Sequence, residues 1–399
     1  MTELSLSHSR ATQAALLAVA TAALLPACDG PQLNGRQTDT LIAMALPAEA
    51  PSPPPSPSNT FADSAAAAAL GERLFNDKAM SADGQVACAS CHVADQGWSD
   101  DRRVSLGAFN RVGSRHSMPI LGASRQRWWF WDGRTDSMWS QAIAAIESTD
   151  EMDFTRAEVA HFVAQRHRQA YEAVFGPLPG LGGVPARGRP GMAAWDALPK
   201  AKQSAVERVF VNVGKALEAY ERTLDCRDTR FDRWARDEVT MTQQEEAGAV
   251  AFVNEGCTDC HSGPDFSDGK FHNIGIGSNT DEPDKGRASG LIKLALSEFN
   301  AAGIYSDDRQ WGQQRLAAAS AEQRTLGAFK TPTLRGVAQR RSFSHRGDHA
   351  GLNDILRHYD DVRPQGSAVG ELDPLVEDVD LERVRAVAAF LEMLDCPTP

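Results

Sequence analysis

What this chain of 399 residues lacks narrows its class. Beyond the N-terminal segment no apolar run reaches the roughly 18 residues that a membrane-spanning helix needs, so a soluble body is expected. Positive charge is in deficit: 41 Lys and Arg stand against 53 Asp and Glu, a formal net of −12 at pH 7. Such a chain repels a phosphate backbone rather than releasing its counterions, and nucleic acid is not an expected partner. Alternating strand patterns are scarce. Apolar residues are not scarce: at 42% hydrophobic, a chain of this length is neither disordered throughout nor a small disulfide-stapled scaffold, and it has room for two domains or one large one.

Residues 1–28 read as an export signal. The apolar stretch Ala14 to Leu25 follows Arg10 and closes on Pro26, Ala27 and Cys28. Cys28 is either incidental to an ordinary signal or the acylated cysteine of a lipoprotein, in which case a lipid anchor is the expected membrane attachment. The periplasm is the expected location. Residues 29–60 are rich in Pro, Ala and Ser and end in the run Pro51 to Ser58, a composition that predicts a semi-rigid spacer without a core.

From about Asp63 the pattern turns helical. Asp63 and Ser64 can cap a helix over Ala65 to Phe75, and Thr155 with Glu158 and Thr242 with Glu245 form capping boxes. Val206, Val209, Phe210, Val213, Leu217, Tyr220 and Leu224 recur at helical spacing, as do Leu381, Val384, Val387, Leu391 and Leu394. A mainly α fold in two parts is predicted.

The cysteines announce the chemistry. Cys88-Ala89-Ser90-Cys91-His92 and Cys257-Thr258-Asp259-Cys260-His261 are two C-x-x-C-H motifs. Two thiols three residues apart on one turn reach the two vinyl groups of a haem, and the adjacent imidazole then lies beneath the iron. A thioredoxin-like pair or a zinc site uses similar residues, but neither needs a histidine next in line twice over. Two covalently bound c-type haems are expected, with Cys88, Cys91, Cys257 and Cys260 as attachment points and His92 and His261 as iron ligands. Of the remaining cysteines, Cys226 and Cys396 either form a disulfide closing about 170 residues or stay as two free buried thiols. Each haem motif opens a similar block, which suggests an N-terminal haem domain over 61–235 and a C-terminal one over 236–399.

The ordered set of motifs is similar to that of the bacterial di-haem cytochrome c peroxidase and MauG superfamily. It runs from the first C-x-x-C-H through Phe130-Trp131-Asp132-Gly133-Arg134, Gln141 and Glu151 to the second C-x-x-C-H, Phe271-His272-Asn273-Ile274-Gly275 and Lys330-Thr331-Pro332-Thr333-Leu334-Arg335. The resemblance spans about residues 65 to 395 and implies two cytochrome c-like domains. It implies that hydrogen peroxide reacts at the N-terminal haem, with Glu151 and Gln141 on its distal side and Glu151 moving a proton between the peroxide oxygens. Trp131 matches a tryptophan lying between the haems, as an electron relay or as core packing. Arg134 and Arg335 suit clamps on haem propionates or internal ion pairs.

The departures point toward the MauG-like side. The spacing after Ser344-His345-Arg346-Gly347 places Tyr359, as in MauG, where peroxidases of the superfamily commonly carry a methionine ligand; a phenolate lowers the potential of its iron. His358 and His272 are rival ligands, a plain core tyrosine is the other reading, and Met393 alone among methionines follows the second motif. Ala108 falls where some members place a blocking histidine, so an open peroxide site is implied. His116 and Arg340 fall at calcium positions where they offer no oxygen, which leaves calcium doubtful. Glu255 replaces the tryptophan through which oxidising equivalents leave MauG. The implied activity is therefore oxidation of a residue, such as a tryptophan, on a periplasmic partner protein, as in MauG and the MbnH-like branch. Peroxide removal with electrons from a small cytochrome or cupredoxin, or electron transfer without catalysis, are the alternatives.

Overall fold

The computed structural model describes residues 30–49, 52–320, 325–360, 362–365, 367–376 and 380–397; the expected signal at 1–28, with Cys28, lies outside them. In chain order the helices are α1 (Gly35–Ile42), α2 (Ala65–Asn76), α3 (Met138–Glu147), α4 (Arg156–Phe162), α5 (Arg168–Phe175), α6 (Ala193–Asp196) and α7 (Lys200–Glu221). They continue as α8 (Arg230–Ala235), α9 (Gln243–Asn254), α10 (Arg287–Leu296), α11 (Arg309–Ser320), α12 (Leu352–His358) and α13 (Leu381–Glu392). Two short strands, β1 (Phe271–His272) and β2 (Phe329–Lys330), pair antiparallel with Phe271 opposite Lys330. The mainly α expectation holds, with two cytochrome c-like halves.

Each half is built on one close helix crossing. Ser64 caps α2 by accepting from the Ala67 N–H at 3.3 Å, and the predicted apolar stripe of α7 turns Val206, Val209, Phe210, Val213 and Leu217 into the first core. The helices approach so closely that a Cβ at Gly71 would stand 2.0 Å from the Ala216 carbonyl oxygen. In the second half α9, capped by Thr242, meets α13 in the same way: a Cβ at Gly248 would stand 2.3 Å from Ala386 O. Phe252, Phe266, Phe390 and Leu391 fill the core beneath. In both halves a C-x-x-C-H motif follows the glycine-bearing helix, after Asn76 and after Asn254.

The chain crosses between the halves more often than the spacing of motifs suggests. Phe231 of α8 belongs to the second core, while Tyr305, in the loop between α10 and α11, belongs to the first. The Lys215 ammonium meets Asp307 there at 2.6 Å.

The described residues of the expected spacer, 30–49 and 52–60, pack against the folded body. Helix α1 docks on the second core through Leu41 and Met44, and Leu46 N–H donates to Asp232 at 2.8 Å. Farther on, Ser58 accepts from the Trp139 indole at 3.1 Å, and Arg222 donates to Pro54 O at 2.9 Å. The reason is local: Leu33, Leu41, Met44 and Leu46 lie among the prolines and alanines, and together they carry enough apolar surface to dock.

Cys226, just past α7, is bonded to Cys396, just past α13, with Cα atoms 5.2 Å apart and a sequence separation of 170. Cross-linking a loop of that length removes unfolded-chain entropy worth about 5 kcal/mol in the loop model, with measured values typically about 2–4. The double variant Cys226→Ser, Cys396→Ser is expected to unfold at lower denaturant concentration by an amount in that range, as read from equilibrium unfolding of the holoprotein.

Candidate functional site

Two cavities, of about 670 and 540 Å³, each hold one motif. In the first, Cys88–Ser90 form a single tight turn and His92 N–H closes on Cys88 O at 3.0 Å. In the second, Cys257–Asp259 repeat that turn and His261 N–H closes on Cys257 O at 2.8 Å. Cys88, Cys91 and His92 line one cavity; Cys257, Cys260 and His261 line the other. The Nδ1 of His92 donates to the Trp98 carbonyl at 3.3 Å and that of His261 to the Phe266 carbonyl at 2.9 Å. Each ring therefore keeps Nε2 unused as a ligand atom. Burial pushes His92 down to about 4 and His261 in the same direction, which keeps both imidazoles neutral.

Trp131, His116 and Pro119 line both cavities and form the wall between them. Trp131 is held on two sides: its indole N–H donates to His116 O and its own carbonyl accepts from Lys330 N–H of β2, both at 2.8 Å. The ring of His116 is occupied elsewhere, with its nitrogens 3.1 Å from Ser99 Oγ and 3.0 Å from Arg102 O. Ala108, which stands in place of a blocking histidine, is buried and follows Gly107, which lines the first cavity.

Gln141 on α3 and Glu151 line the first cavity. Glu151 sits on a tight turn whose backbone is braced by Ala108 N–H donating to Glu151 O at 2.6 Å. Gly107 permits that contact, since a Cβ there would stand 2.1 Å from Asp150 O. Burial raises the Glu151 carboxyl above the usual range, with Arg134 and Ser148 opposing. Arg134 lines the same cavity, 3.2 Å from Asp132 and 3.4 Å over the Phe130 ring, so it is both an ion-pair partner and a cation facing the space.

Tyr359, directly after α12, lines the second cavity, and burial raises its phenol. The rivals are committed otherwise. His358 places Nε2 2.7 Å from Ile274 O and Nδ1 2.9 Å from Gln365. His272 lies 2.9 Å from both Asp268 and Asp373, and these carboxylates raise it against the opposing effect of burial. Met393 is buried in the second core and does not line the cavity.

Of the two roles open to Arg335, a propionate clamp or an internal ion pair, the geometry has the second. It pairs with Asp232 through both guanidinium ends at 2.8 and 3.0 Å and donates to Pro264 O at 2.6 Å. All of this lies off both cavities, so Arg335 fastens α8 to the second half instead of facing a cofactor. The basic side chains that line the second cavity include Lys330 and Arg340, besides His272 with its carboxylate partners. Arg340 reaches only the carbonyls of Thr333 and Arg335, leaving its Nε without a partner. The Lys330 ammonium meets the Gln126 amide, and burial pushes it down to about 7. Two buried cations, neither in a salt bridge among the described residues, suit an anionic group such as a propionate. Together with the paired thiols and the free imidazole nitrogens, they fit haem in both cavities. Calcium fits poorly: the two ring nitrogens of His116 are engaged, and the Arg340 charge acts on the same spot.

Glu221, the last residue of α7, also lines the first cavity and escaped sequence reasoning. Its only signal was a second carboxyl, Glu218, one turn earlier on an otherwise apolar face. Burial, with Glu218 adding to it, pushes Glu221 up to about 8 from 4.5. Below about pH 4.5 the group is protonated whether folded or not, and between there and about 8 only the unfolded chain releases its proton, so its contribution to stability is lost as pH rises. Glu221→Gln should flatten the decline in holoprotein stability between about pH 5 and 8 in denaturant titrations.

Residues 65–240 match the family model described as di-haem cytochrome c peroxidase. The chain is similar to the methylamine utilization protein MauG of Methylophilus methylotrophus, 27% identical over 334 residues and 82% of each chain. It is also similar to the cytochrome-c peroxidase IdrP1 of Denitromonas iodatirespirans, 28% identical over 343 residues, covering 83% of this chain and 82% of the relative. Among solved structures, its fold is similar to the diheme peroxidase BthA from Burkholderia thailandensis, with a TM-score of 0.66 at 20% identity over 85% of this chain and 88% of that one.

Proposed function

The chain belongs to the di-haem cytochrome c peroxidase family, and from that premise we propose that it uses hydrogen peroxide at its first cavity to oxidise a side chain of a periplasmic partner protein. It is a haem-dependent oxidoreductase; when bound, haem supplies an iron that takes up peroxide and exchanges electrons. Cys88, Cys91 and His92 would hold one haem, and Cys257, Cys260, His261 and Tyr359 the other, with Lys330 and Arg340 against the propionates of the second.

Glu151 has the burial and position to take a proton from the inner peroxide oxygen and return it to the outer one, which leaves as water. Gln141 beside it can donate a hydrogen bond that orients the peroxide. One peroxide takes two electrons and two protons and yields two waters. Trp131, in the shared wall, carries charge between the sites so that both contribute. The electrons come from the partner, whose side chain is left oxidised.

The observation that carries protein oxidation over simple peroxide removal is Tyr359 in the second cavity with Met393 away from it. A phenolate ligand lowers the potential of its iron, which suits stabilising an oxidised site over accepting electrons from a small cytochrome. Among the described residues no helix is long and apolar enough to cross a membrane, which accords with a periplasmic enzyme.

Spectra of the oxidised protein before and after one equivalent of peroxide test this reading. Both haems of the parent should respond, and Glu151→Gln should slow the response by about 10²-fold with haem content intact. Tyr359→Met should raise the potential of the second haem and confer turnover with a reduced cytochrome. A parent that already turns over steadily with such a donor, and leaves no mass change on any partner, would replace protein oxidation with peroxide removal.

A further inference from the structure

Oxidising equivalents formed in the first cavity need a way out. The second-half position considered for it is Glu255, a carboxylate that lines the second cavity and conducts no charge of this kind. The two histidine turns differ in one respect that bears on this.

Both proximal imidazoles donate to the carbonyl of a residue with left-handed backbone, Trp98 at φ 57° and Phe266 at φ 49°. That conformation is uncommon for bulky side chains, and both halves adopt it because it turns the carbonyl onto the ring nitrogen. In the second half a phenylalanine, fully buried, meets the need. In the first half the same post holds a tryptophan, partly exposed and packed edge-on against Phe75 at 6.3 Å between ring centroids. Phe75 in turn lies 6.4 Å from His92. Geometry alone asks for a carbonyl and an apolar ring, which phenylalanine supplies. An indole at the surface adds a side chain that can lose an electron.

We propose that Trp98 is the electron-relay residue through which a partner protein reduces the first site. The inference rests on the proposed function and supplies its exit route. The path is short: from the His92 imidazole across one hydrogen bond to the Trp98 carbonyl, then through Cα and Cβ to the indole. In each transfer Trp98 gives one electron to the first site and its ring proton to solvent, which the partial exposure of the residue admits. An oxidisable aromatic side chain of the partner then returns one electron and one proton. Two such rounds supply what one peroxide consumes in becoming two waters. The second oxidising equivalent, held at the second site, reaches the same exit back through Trp131.

The test uses the holoprotein, hydrogen peroxide and no donor, comparing the parent with Trp98→Phe, a substitution the second half shows this turn accepts. In the parent, the Trp98 indole should lose two electrons and take up one oxygen from water, read by peptide mapping. In Trp98→Phe the peroxide-induced spectrum should decay about tenfold or more slowly, and the organic radical signal of frozen samples should fall by a similar factor. A normal spectral response to peroxide with an unmodified Trp98 peptide in the parent and parental decay in Trp98→Phe overturns the Trp98 assignment alone. No spectral response in the parent overturns the peroxide reading, and the relay with it.

Discussion

The rest of the structure depends on a backbone carbonyl holding an imidazole by its Nδ1. Without it each histidine is free to rotate, and the nitrogen that must face the cavity has no fixed direction. The carbonyl comes from a residue in a left-handed turn five or six positions after the histidine, at Phe266 and at Trp98. That turn is braced by its ring packing on a helix core, fully buried at Phe266 and partly exposed at Trp98, so the histidine geometry and the core packing are one constraint. The glycine at each helix crossing belongs to it too. Gly71 and Gly248 let α2 reach α7 and α9 reach α13 closely enough to form the cores on which Trp98 and Phe266 rest.

Joining the two units adds a second requirement, that their cavities share a wall. Trp131 stands there because both ends of its residue are tied, the indole to His116 and the carbonyl to β2 of the other half. The crossings of the chain serve the same end. Helix α1 and Phe231 of α8 pack on the second core, Tyr305 packs on the first, and the Cys226–Cys396 bond fastens the region after α7 to the C-terminus. A hinge between the halves would change the distance that charge must cross, and these ties oppose one.

Local signals made much of this legible. The C-x-x-C-H spacing is a property of one turn and survives any fold around it, and capping boxes at Thr155 and Thr242 mark helix starts without reference to tertiary structure. The run from Phe130 to Arg134 carried the shared wall in the right place. What the sequence hid were choices made between distant partners. Arg335 and Arg340 are five residues apart in one loop, and which of them faces the cavity is decided by Asp232 on α8, which takes both ends of Arg335. The stretch 29–60 read as a spacer because prolines dominate its composition, while its few leucines and methionines find a surface that only the folded second half provides. Glu221 looked like one more acid on a long helix until α7 buried it.

The buried groups whose protonation burial shifts differ between the cavities, and the difference bears on what each site can do. In the first, burial holds Glu151 and Glu221 toward their protonated forms, so acids there can carry protons where peroxide would be cleaved. In the second, burial pushes Lys330 and Arg340 down, toward their neutral forms, and neither has a salt-bridge partner among the described residues, a setting that an anionic group such as a propionate would complete. The first set suits bond cleavage that consumes protons; the second suits an anionic group that would restore its charge. Between the two sets stands Trp131, a neutral ring whose N–H is held by the His116 carbonyl and whose own carbonyl is held by Lys330 N–H, so it adds no titrating group to either side.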